Sequence, residues 1–181
     1  MPNSKGGTTL RYSRLKIIFP IGLFIALFLD GSLSNVFAGH LFSYPYTSVL
    51  HLVLLWLIFA IFLDDRDDLA IGIWSTFVGL VFDWYYTGII GVYMIALPLV
   101  VYLCRQIKPW LDLNFLTLLM VYIINLTIVE AFAYIWYSMG HVINSNLADF
   151  AVFTLGPTIA VNLAIFVIAY YPMRRLYLSV N

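Results

Sequence analysis

Apolar residues fill this chain in six long blocks, separated by short polar or glycine-bearing breaks. The blocks cover about residues 17–37, 47–63, 69–86, 88–104, 113–138 and 150–171. Within each block the apolar residues run on continuously instead of alternating, which excludes a transmembrane barrel and predicts helices. A bilayer core roughly 30 Å thick takes about 20 helical residues to cross. The second, third and fourth blocks are short by that measure, and the fifth is long enough to tilt or project. The breaks are sharp, at "DDRDD" (64–68) and "YYTG" (85–88). The pattern predicts an all-α membrane protein, a six-helix transmembrane bundle forming a single domain over residues 13–178. Residues 1–12 are expected to be a disordered cytoplasmic segment.

Composition supports a membrane protein and charge orients it. The 181 residues are 63% hydrophobic and 10% charged, with mean hydropathy +0.96. A soluble chain of this length lacks the polar cover for that much apolar surface. Lys5, Arg11, Arg14 and Lys16 precede an apolar stretch, and "NVFA" at 35–38 resembles a cleavage site, the outline of a signal peptide. The apolar run resumes beyond Asp30, however, and five more blocks follow, so the first block is read as an uncleaved helix. With the N-terminus inside and six crossings, all nine basic residues fall on one side. Four precede the first block, Arg66 lies in the second loop, Arg105 and Lys108 in the fourth, and Arg174 and Arg175 follow the sixth. The basic residues therefore predict an N-in, C-in topology.

Several function classes drop out. Zero net charge gives no electrostatic case for nucleic acid. Cys104, the only cysteine, excludes an internal disulfide and a thiolate metal cluster. His40, His51 and His141 match no ligand spacing. No HExxH, phosphate loop or serine–histidine–acid set occurs, so neither enzymatic activity nor a cofactor is expected.

The acidic residues are the candidates for function. Asp30 lies about 20 Å along the first helix, Asp83 about 21 Å along the third and Glu130 roughly 25 Å along the fifth. These three, with Asp149, fall in or near the outer leaflet, where no lysine or arginine is available to pair with them. A carboxylate in hydrocarbon costs several kcal/mol unless it faces protein, water or a partner. At least one of the three is therefore expected to be protonated or compensated from another chain. Gly72, Thr76, Gly79 and Asp83 share one helix face, whose small residues let another helix approach closely. Asp83 reads either as a partner contact or as a cap bonded to the "YYTG" backbone. Glu130 shares a face with Thr127, Tyr134 and Tyr137, and Thr154, Thr158 and Asn162 form a polar line in the sixth helix. Gly156-Pro157 and Pro98 are expected to kink their helices. His51 is expected to hydrogen-bond between helices.

The stretch "FVGLVFDWYYTGIIGVYMIALPLVVYL" (77–103) resembles the signature region of the MreD family, the rod-shape-determining integral membrane proteins of bacteria. The matching positions are Gly79, Leu80, Asp83, Gly88, Gly91 and Tyr93. The stretch "GPTIAVNLAIFVIAYYPMRRLY" (156–177) resembles the family's closing helix, with Pro157 and Asn162 in place. The resemblance implies a non-enzymatic, multi-pass protein of the bacterial cytoplasmic membrane that helps organise lateral peptidoglycan synthesis in the elongasome. It implies MreC as the primary partner, with the class B penicillin-binding protein, RodA and, where present, MreB. The family also resembles the S-components of energy-coupling-factor transporters. The alternative is therefore a small-molecule-binding transporter subunit with an outward pocket. Asp30, Asp83 and Glu130 with Gly72, Gly79, Gly88, Gly91 and Asn162 are the candidate partner or pocket residues.

Overall fold

A computed structural model describes residues 5–63, 69–143 and 145–180. Among these residues the secondary structure is entirely helical. Helix α1 spans Lys5–Val36 and is followed by the short α2, Ala38–Leu41. Residues 5–12, expected to be disordered, instead form the first turns of α1. The apolar span beyond them supplies the helical nucleus, and each residue added to it gains a backbone hydrogen bond. The "DDRDD" break lies outside the described residues.

Helix α3, Leu52–Leu63, forms the centre of the bundle. It is apolar on every side, as a helix enclosed by others must be, and nine of its twelve residues are buried. It packs against α1, α5 (Val92–Ile107), α6 (Phe115–Met139) and α8 (Gly156–Val180). The sequence predicts a helix from residue 47, but residues 48–51 are non-helical. An unbroken apolar run does not by itself distinguish a buried helix from a buried extended segment. Here hydrogen-bond partners outside the segment hold it out of the helix.

Helix α4, Ile71–Phe82, runs into a wide turn of π-helix at Asp83–Thr87, after which the chain reverses into α5. The fourth block was expected to begin at residue 88, but its helix starts at Val92. Gly88 (φ 69°) and Gly91 (φ 115°) both take left-handed backbone, which favours glycine. After α6, whose first turn is capped by the Asn114 side chain accepting from Thr117 N at 2.8 Å, the chain turns at α7 (Leu147–Asp149). A π-helical stretch, Phe150–Leu155, leads from it into α8. Three segments, Lys16–Val36, Phe115–Met139 and Leu147–Tyr177, are long and apolar enough to cross a membrane, and Leu52–Leu63 is a shorter apolar helix.

Candidate functional site

Asp83 is fully buried, and its carboxylate caps the helix that follows it. Oδ2 accepts from Gly91 N at 2.8 Å and Met94 N at 3.1 Å, and Oδ1 accepts from Tyr93 N at 2.9 Å. These amides open α5, where unpaired N–H groups carry the positive end of the helix dipole. The intervening turn is shaped to bring them there. Gly88 N and the Thr87 hydroxyl both donate to Asp83 O, and the left-handed Gly88 and Gly91 close the loop. Asp83 is thus a cap, as one of its two readings had it, but for the next helix and not for the "YYTG" backbone. No basic residue is needed beside it.

Asp30 does the same for α3. Its Oδ1 accepts from Leu52 N at 2.7 Å and its Oδ2 from Val53 N at 3.0 Å. The non-helical segment ahead of α3 is held by α8. Thr158 Oγ1 accepts from Val49 N at 3.1 Å and Asn162 Oδ1 from His51 N at 3.0 Å. The Asn162 amide donates to Val49 O and Thr158 O, and the Tyr122 hydroxyl donates to Asn162 Oδ1. Pro157 contributes by omission. Lacking an N–H, it leaves the carbonyl four residues back, Phe153 O, without a helical donor, and Thr47 N donates to that carbonyl at 2.7 Å. Backbone outside a helix survives at membrane depth only where protein satisfies it; here Asp30, Thr158, Asn162 and the Pro157 gap do so.

Glu130 has a basic partner after all. His51 Nε2 lies 2.6 Å from Glu130 Oε1, with both residues buried. The sequence expects His51 to hydrogen-bond between helices; it does bond α6, but from the non-helical position ahead of α3, and its pairing with Glu130 joins positions 79 residues apart, with no local signal. The polar stripe around Glu130 divides. The Thr127 hydroxyl turns back to Ile123 O, and the Tyr134 hydroxyl donates to Ser145 O. Tyr122 and Thr87 complete the polar network. Neither stands out in sequence, because a tyrosine in an apolar block reads as packing and a threonine in a turn reads as loop.

The glycines separate into different roles. At Gly79 a Cβ would overlap the carbonyl of Tyr93, so α4 and α5 touch backbone to backbone there. At Gly72 a Cβ would meet nothing within 4 Å. The expected continuous small-residue face is therefore a single close contact inside the chain: Gly79 faces α5 backbone, and Gly72 faces no neighbour. At Gly91 a Cβ would lie 2.8 Å from the Trp136 ring, whereas Gly88 is open to space and needed only for its backbone angle.

Above these capped helix ends opens a cavity of about 580 Å³, between the C-terminal half of α1, the 42–50 segment, the π turn and the loop after α6. Asp30 and Tyr93 contribute to its lining, with Ser34, Asn35, Thr87 and Tyr137 as further polar contributors. Asp83, Glu130 and Asn162 do not line it. Of Asp30, Asp83 and Glu130, it is Asp30 that borders this cavity, and its oxygens are already engaged by backbone.

The family model described as "rod shape-determining protein MreD" matches residues 15–180. Neither the curated proteins nor the solved structures include a match to the chain.

Proposed function

We propose a function from one premise: this chain belongs to the MreD family of rod shape-determining membrane proteins. In this reading it is a non-enzymatic, multi-pass component of the bacterial cytoplasmic membrane that binds MreC and helps organise lateral peptidoglycan synthesis with the class B penicillin-binding protein, RodA and MreB. The family match across residues 15–180 carries the proposal.

The proposed topology has six crossings, N-in and C-in. Helix α3 rises only about 18 Å over twelve residues, but the non-helical residues ahead of it can add up to roughly 3.3 Å each. Together they reach the roughly 30 Å of a bilayer core. Helices α4 and α5 supply the third and fourth crossings, and the basic residues then share one side.

Within this reading the buried acids serve the frame rather than the partner. Asp83, Asp30 and Glu130 each have partners in their own chain, so MreC binding rests on other surfaces. The test is copurification of an affinity-tagged chain with MreC from mild detergent. Capture of MreC is the expected result, and a chain that never retains MreC overturns the proposal. The outer cavity favours the second reading, an S-component-like subunit. Retention of a small molecule by wild type, lost when Ser34 and Thr87 are enlarged, would support it.

A further inference from the structure

A second hollow lies on the flank of the bundle, away from the outer cavity. It is a furrow of about 390 Å³ between α1 and α8. Ile18, Ile25 and Leu29 form one wall, Ala169 and Met173 the other, and Trp56 part of the floor. All its lining residues are apolar or glycine. Even the Trp56 Nε1–H is occupied, since it donates to Phe19 O at 3.1 Å. The furrow therefore offers a polar ligand nothing.

We infer that this furrow holds one acyl chain of an anionic phospholipid from the cytoplasmic leaflet. Its length fits. Ile18 to Leu29 spans about 16 Å of helix, and half of a hydrocarbon core is about 15 Å. Its volume fits a chain better than a helix. A helix segment of that length, about 10 Å across, would fill on the order of 1,200 Å³, three times the space available.

Charge selects the headgroup. The inference rests here on the N-in, C-in topology, which puts Ile18 and Met173 at the cytoplasmic end. The two segments that form the walls carry six of the nine basic residues at that end: Lys5, Arg11, Arg14, Lys16, Arg174 and Arg175. No acid occurs in residues 1–29 or 163–181. Arg174 and Arg175 are exposed, in the same turn of α8 as Met173. Basic residues at a cytoplasmic membrane surface attract anionic lipid. A bitopic partner entering N-in would bring its own lysines and arginines to the same end, setting like charges together.

The experiment is native mass spectrometry of the full chain released from nanodiscs of phosphatidylglycerol and phosphatidylcholine in equal amounts. Wild type should retain one phospholipid, with phosphatidylglycerol preferred. Arg174→Gln with Arg175→Gln should keep the bound lipid and lose that preference. Ala169→Phe, which fills the furrow, should lose the bound lipid. Equal retention of both lipids by wild type, or undiminished binding in Ala169→Phe, overturns the inference. Should Ala169→Phe fail to fold, the exposed arginine pair still decides: an unchanged preference in that variant overturns it. A bitopic protein that copurifies in place of the lipid also overturns it. MreC binding and topology are read in separate experiments, so either can fail while the lipid result stands.

Discussion

Three backbone amides converge on Asp83, and that convergence changes what its substitution should do. Asp83→Ala leaves three buried N–H groups without acceptors, at about 1–3 kcal/mol each. The expected result is loss of folded monomer. Asp83→Asn keeps one acceptor oxygen but turns an amide NH₂ toward donors, so it should lower the thermal midpoint in detergent by a smaller amount. Were Asp83 a partner contact instead, Asp83→Asn would melt like wild type and release MreC; size-exclusion thermal melts run beside copurification separate these outcomes. The buried His51–Glu130 pair allows a second test. Leaving a buried polar group without its partner costs about 1–3 kcal/mol, whereas replacing both partners by apolar residues is far milder. Glu130→Leu alone should therefore be more damaging than Glu130→Leu combined with His51→Leu, as read by the same melts. Additive effects would show that the pair is not coupled.

Elements reveal where the chain could be read in advance and where it could not. The blocks of α1, α6 and α8 are long and apolar, so hydropathy finds them. The start of α3 is hidden because the partners of its entry segment lie far along the chain. Val49 bonds to Thr158 and His51 to Asn162, at separations of 109 and 111 residues. The four-residue line of Thr158 and Asn162 was visible in sequence, as was Pro157, but the backbone they serve was not. The glycine face was legible as periodicity and misleading as packing. Gly79→Leu should cost roughly 1–3 kcal/mol through overlap with Tyr93, reducing monomer yield. Gly72→Leu, with open space around it, should stay within about 0.5 kcal/mol of wild type. Equal loss from both would restore the continuous face.

For the whole molecule, the outstanding expectation is the topology. Reporter tags at residues 1 and 181 should both report cytoplasm, and a tag inserted beside Ser145 should report the outside. A C-terminus accessible from outside would remove the six-crossing arrangement. Charge placement is what makes this orientation an expectation, because the basic residues are few and lie close to the ends of the blocks. The acids were harder to interpret, since a carboxylate's backbone partners leave no trace in composition.

The latch between α8 and the segment ahead of α3 also has a consequence in time. Synthesis delivers a chain from its N-terminus, so residues 47–51 reach the membrane about a hundred residues before Phe153, Thr158 and Asn162 exist. Until then the amides of Thr47, Val49 and His51 have no acceptor there, and lipid supplies none. On the proposed topology, the segment waits in water at the outer surface while later helices insert. On that topology, the second crossing in sequence order is the last to be completed. A nascent chain halted before its final helix displays an unlatched segment whose amides still lack these acceptors.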